Sequence, residues 1–89
     1  MENIDSVLIE RGKRYGKFKD HAFVTQAIKS SLFNSNPDLI LDCDQKEALE
    51  MIAHKLGRIV NGDPNYADSW VDIAGYAKLV ADRLNGVCR

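Results

Sequence analysis

Asp68 and Asp72 stand four residues apart in the stretch GDPNYADSWVDIAGYA, with Trp70 between them and Tyr76 one turn further on. Carboxylates at that spacing share one helical face, and they can hold a divalent cation when another helix supplies further oxygens. Glu47 and Glu50 are the candidates for that second contribution, so Glu47, Glu50, Asp68 and Asp72 make up the candidate metal set. A plainer alternative uses the same residues. Asp68 hydrogen-bonds within its own first turn, Asp72 pairs with Lys55 or Arg58, and no metal is involved.

A second concentration of chemistry is the segment RGKRYGKFKDH, Arg11 to His21, which packs five Lys/Arg around Tyr15 and Phe18. Interleaved cations and aromatic rings suit phosphate and base contacts. Gly12 and Gly16 free the backbone there to approach an anion. The alternative is an exposed basic turn whose aromatics seal one end of a bundle. Further on, Glu47, Met51, His54 and Arg58 share one side of a helix, flanked by Glu50 and Lys55. His21 and His54 are the only histidines and lack a zinc-ligand arrangement. No Ser or Cys lies in a nucleophile motif, and no phosphate-binding or dinucleotide fingerprint is present.

The elements that must position these residues read as helices throughout. The first is expected over about residues 4–14, with Ile4, Val7, Leu8 and Arg11 on one side and Tyr15-Gly16 as its stop. A second, over 20–33, follows an Asp20 N-cap and ends before Asn34-Ser35-Asn36-Pro37. The third, over 44–61, starts at a capping box of Asp44 and Glu47 and carries the stripe Leu49, Ile52, Ala53, Leu56, Ile59 and Val60. Asp63-Pro64 then starts the fourth, over 64–85. Its core-facing stripe is expected to be Tyr66, Trp70, Ile73, Ala77, Val80 and Leu84. Asp68, Asp72, Tyr76, Leu79 and Arg83 form a second side that also contains apolar groups, as in a helix lying between layers or against another subunit. Gly75 inside that helix calls for a packing or ligand-approach reason. The expected fold is an all-α, single four-helix domain with an antiparallel C-terminal helical hairpin.

At 89 residues the chain is the size of one domain, residues 1–89, whose small core would gain from self-association. A net charge of −1 provides no general field for nucleic acid, which argues against a nucleic-acid partner. Cys43 and Cys88 lack metal-ligand spacing and read as free thiols of a reducing cytosol. With no membrane-length apolar run and no signal peptide at Met1-Glu2-Asn3, the expectation is a cytoplasmic protein without a membrane partner.

Three stretches, ERGKRYGKFKDHA, EALEMIAHKLGRIVNGDPNYADSW and DIAGYAKLV, together resemble a small family of uncharacterised phage and prophage proteins. The resemblance spans nearly the whole chain apart from about Leu32 to Cys43. More distantly the chain is similar to phage nucleotide-modification-associated domains and to MazG-like all-α nucleoside triphosphate pyrophosphohydrolases. The shared elements are Tyr15-Gly16 after a basic helix, Lys55 and Arg58 on a middle helix, and Asp68, Asp72 and Tyr76 on a later one. This similarity implies Mg2+ held by acids from two helices and engaging nucleotide phosphates. Glu47 and Glu50 reproduce the first Glu-x-x-Glu pair. Asp68 and Asp72 depart from the second, which is Glu-x-x-Asp, and Lys55 and Arg58 stand where the enzymes tend to be acidic.

Two functional expectations follow. One is a phage-derived nucleotide-binding protein in which Arg14, Lys55 and Arg58 hold phosphates, Tyr15 or Trp70 stacks on a base, and Tyr76 completes the site. Its catalytic form would be Mg2+-dependent hydrolysis of a phosphoanhydride. The other is a non-enzymatic helical homo-oligomer that binds a host protein or sequesters a signalling nucleotide.

Overall fold

In the computed structural model, which describes residues 3–89, the helices are α1 (Ile4–Tyr15), α2 (Phe18–Asn34), α3 (Cys43–Asn61) and α4 (Ala67–Leu84). Met1 and Glu2, part of the N-terminus expected to lack a signal peptide, lie outside the described residues. The described residues are all-α, as the stripes and stops predict. No described helix is long and apolar enough to cross a membrane.

Helix boundaries shift by a few residues, for identifiable reasons. Helix α3 starts one residue early: Asp42 takes the N-cap position, and the Gln45 side chain accepts from the Asp42 backbone N–H at 2.9 Å. The expected Asp44/Glu47 box is therefore two residues off, and Asp44 instead accepts from the N–H of Gln45 at 2.9 Å. Helix α2 begins at Phe18, before Asp20, with Lys17 as its cap residue. Helix α4 begins at Ala67, because Asp63 and Pro64 form a turn rather than a first helical turn. In that turn Asp63 accepts from the N–H of Asn65 at 2.9 Å, and its N–H donates to the Arg14 carbonyl at 2.7 Å. Gly86, with φ of 89°, follows the C-terminal end of α4 as expected.

Helix α3 is the centre of the arrangement. It packs extensively against α4 on one side and α2 on the other, α1 lies lightly across α2 and α3, and α2 and α4 do not touch. Both neighbours run antiparallel to α3. Lys55 meets Asp72 and Asp44 meets Arg83, while His21 meets His54 and Phe33 lies under Lys46. The C-terminal pair is the predicted hairpin. Three helices side by side make one layer with two broad faces, and α1 partly covers one of them.

This layering explains which residues are buried. Among the described residues, the buried apolar side chains are Ala48, Ala53 and Ile59, all on α3. Close approach of α2 depends on Gly57: a Cβ there would run into Thr25 Oγ1 and come within 2.6 Å of His21 Cδ2. On α4, the residues turned toward α3 are Ser69, Ile73, Tyr76 and Val80, with the cap residue Tyr66 just before them. The predicted stripe was rotated too far. Trp70, at 54% exposure, and Leu84, at 59%, are on the surface, as is Ala77. With a single neighbour, α4 buries one narrow strip, and Ser69 and Tyr76 fill it. Gly75 has open space where a Cβ would stand, so it serves no packing role among the described residues. The α1 stripe is likewise exposed: Ile4 and Leu8 are open, and no residue of α1 is fully buried.

Candidate functional site

The cleft at the α1–α2 turn is built by a crossing of two backbones. Gly16 and Gly62 lie where the turn after α1 meets the turn after α3. A Cβ on Gly16 would strike the Asn61 carbonyl, and one on Gly62 would strike the backbone of Arg14 and Tyr15. Gly16 also has φ of 77°, a conformation that side chains rarely adopt. Gly16 thus serves this crossing with α3, while Gly12 stays open and lines the cleft.

The crossing sets Tyr15 against the C-terminal half of α3. The Arg58 guanidinium lies over the Tyr15 ring at 4.1 Å, a cation–π geometry. Around this pair opens a cleft of about 630 Å³, mostly apolar, lined among others by Leu8, Arg11, Lys17, Phe18, His21 and His54. Its floor is His21 meeting His54 edge-on at 4.4 Å, and the exposed Phe18 meets His21 edge-on at 6.0 Å from the rim. Nε2 of His21 donates to the His54 carbonyl at 3.0 Å, which fixes the ring. Burial, reinforced by Arg58, His21, Lys55 and Lys29, depresses His54 to about 4. At neutral pH the cleft therefore holds a neutral imidazole in its floor and cations at its rim. That combination of flat apolar surface and fixed positive charge suits a planar ring carrying an anionic group.

The other predicted site residues are dispersed. Arg14 points away from this cleft: it donates to Tyr66 Oη at 2.9 Å, lies over the Tyr66 ring at 5.0 Å and pairs with Glu10 at 3.4 Å. Tyr66 in turn donates to Asp68 at 2.9 Å, and that hydrogen bond raises the phenol above its usual range. Lys55 pairs with Asp72 at 2.9 Å. Tyr76 is half-buried in a separate groove with Asp44, Glu47, Leu79 and Arg83. Trp70 lies on the opposite face of the layer, its indole N–H donating to the Pro64 carbonyl at 2.9 Å. Only Tyr15 and Arg58 of the predicted set line the cleft.

The carboxylates proposed for Mg2+ do not fit a metal centre as placed. Asp72 faces the Lys55 ammonium, Asp68 is held by Tyr66, and Glu47 and Glu50 are not brought to either. Among the described residues no three His, Cys, Asp or Glu side chains gather as ligands. The acids that are strongly engaged belong to α-helix ends. Hydrogen bonds from Arg83 to Asp44, at 2.6 and 2.7 Å, hold that carboxyl below its usual range. Arg89 and Lys78 do the same for Asp82.

Sequence reasoning reached the cleft through its basic, aromatic turn and through Arg58 on α3, but missed the meeting of His21 with His54. The available signal was Gly57, a glycine in a long helix, which marks where α2 and its His21 come close.

Fold and cleft define an all-α chain with one central helix and a cationic, aromatic-lined pocket at its C-terminal half. The chain belongs to a family described as a domain of unknown function, DUF6378, whose model matches residues 2–84. Neither the curated proteins nor the solved structures give a match.

Proposed function

We propose that this chain is a nucleotide-binding protein, of phage origin as the resemblance implies, whose ligand lies in the Tyr15 cleft. The supporting observation is the Arg58 guanidinium stacked on Tyr15 at the edge of an apolar cleft with Arg11 and Lys17 alongside. In this reading the base lies against Tyr15, Phe18 and the imidazoles. The phosphates reach Arg58, Arg11 and Lys17, and the volume of about 630 Å³ is within the usual range for a small-ligand pocket.

The role assigned to the protein is recognition or sequestration. Hydrolysis assisted by Mg2+ would need the carboxylates of α3 and α4 to converge, and Asp72 instead neutralises Lys55. Thermal-shift titration with mono-, di- and triphosphates of the common nucleosides, with and without Mg2+, tests the proposal. A ligand that binds only the folded chain raises Tm. The expected result is a rise that is lost in Arg58→Ala and does not require Mg2+. No rise with any nucleotide at millimolar concentration would remove the proposal, and product formation would restore the hydrolytic reading. The oligomer reading has its own support, the exposure of Trp70 and Leu84 on α4.

A further inference from the structure

The face of the layer opposite the cleft is bare and apolar. On α3, the strip between its contacts with α2 and α4 carries Leu49, Leu56 and Val60, and Val60 is 67% exposed. On α4, residues Trp70, Ala77 and Leu84 lie about a quarter-turn from the strip that packs on α3. Because the two helices are antiparallel, that quarter-turn carries them to the same side of the layer as Leu56 and Val60. The Lys55–Asp72 pair and the Tyr15–Arg58 pair occupy the other side, which confirms the sense of rotation. These strips of α3 and α4 contain no charged residue.

A helical layer with an apolar face needs a second layer. The surface area of the whole chain, to which exposed side chains such as Ile4 and Phe18 also contribute, sets an upper bound on how much is missing. A monomeric protein of 10.0 kDa is expected to expose roughly 5,200 Å². This chain exposes 6697 Å², an excess of roughly 1,500 Å² over that monomer scale. Its radius of gyration is 15.1 Å, against about 12 Å for a compact chain of this length. The excess is of the order that one partner buries in a permanent homodimer.

We infer that a second copy of this chain covers the face, Leu56, Val60, Trp70, Ala77 and Leu84 of one protomer packing on the same surface of its partner in a two-fold, two-layer assembly. The uncharged α3 and α4 strips give no electrostatic selection for a foreign partner, and they are self-compatible because no like charges on them oppose across a two-fold axis. The interface lies on the far side from the cleft, so each protomer keeps its cleft open outward. Self-association is therefore independent of the nucleotide reading, and either can fail alone.

Sedimentation equilibrium with Trp70 fluorescence tests the inference. The wild-type chain is expected at twice 10.0 kDa, with the single tryptophan emitting as a buried indole and shifting to the red on dilution. Ala77→Glu, at an exposed helical position where a protomer tolerates it, is expected to lower the mass to one chain, with helical circular dichroism retained. Gly75→Glu places the same charge on another side of α4, in open space, and is expected to leave the dimer intact. A wild-type chain of 10.0 kDa with solvent-exposed Trp70 emission overturns the inference, whatever the variants do. A dimer broken by Gly75→Glu but not by Ala77→Glu overturns the choice of face.

Discussion

One face of the helical layer is crossed by α1 and carries the charged and aromatic chemistry; the other carries Leu56, Val60, Trp70 and Leu84 with nothing over them. On the first face, polar groups find partners within the chain: Lys55 with Asp72, Tyr66 with Asp68, Arg58 with Tyr15. On the second, apolar groups find few. A three-helix layer of this length has enough chain to line one cleft but not enough to close both sides. The difference teaches that α1 gives the cleft face partial cover and leaves its rim cationic, whereas the bare face has no cover from its own chain.

Perturbing the cleft face has graded consequences, and the largest follow from its backbone crossing. Gly16→Ala meets both a left-handed φ and the Asn61 carbonyl. It is expected to cost about 3 kcal/mol or more and to abolish the cleft, measured by urea unfolding and by loss of ligand-induced Tm. Gly57→Ala forces α2 away from α3 through Thr25 and His21, and a loss of about 1–3 kcal/mol is expected. A Gly57→Ala chain as stable as the parent would show that α2 is not held where the structure has it.

Acid provides the next test. His54 sits near 4 in the folded chain against 6.5 for the free side chain, so between those values the unfolded chain binds more protons. Stability should be unaffected by His54 above about pH 6.5, fall as pH drops from there to about 4, and level off below. The loss in Tm over that window is expected to be several degrees, and His54→Gln should flatten it. Asp44 and Asp82, whose carboxyls are depressed by Arg83 and by Arg89 with Lys78, act only below the usual carboxylate range. Their losses therefore fall below the histidine window.

The smallest effect is expected from Asp72→Asn. Its partner Lys55 is largely buried but Asp72 is 46% exposed, so the loss should be about 0.5 kcal/mol. Nucleotide binding should be unchanged with or without Mg2+. A loss of Mg2+-dependent binding in this variant would return Asp72 to the metal set.

Much of this was readable in the residues. Helix number, the stops at Gly16, Asn34–Pro37, Asn61-Gly62 and Asn85-Gly86, and the α3–α4 hairpin all follow from local chemistry that works the same in any context. Asp72 with Lys55 was one of two readings, and the pairing prevails because antiparallel packing sets the middle of α4 beside the middle of α3. What was not readable depended on how many neighbours each helix has. The Trp70–Ala77–Leu84 stripe has the period of a core face, and periodicity reports that a face is apolar, not whether this chain covers it. In the same way Tyr15 and Arg58 carried a visible signal, while His21 and His54 came together only through the close approach that Gly57 allows. Tyr76 and Trp70 could not be sorted from the cleft by sequence, since an aromatic ring on α4 suits a base equally well until the packing of α4 against α3 turns each away from it.

The most direct test of the binding claim is calorimetric titration of the nucleoside triphosphates into the wild-type chain and into Arg58→Ala, in buffer without divalent metal. The account predicts one ligand per chain for at least one nucleotide, with affinity falling at least tenfold when Arg58 is removed and Trp70 emission unchanged. Absence of binding, or binding that ignores Arg58→Ala and instead perturbs Trp70, would contradict it.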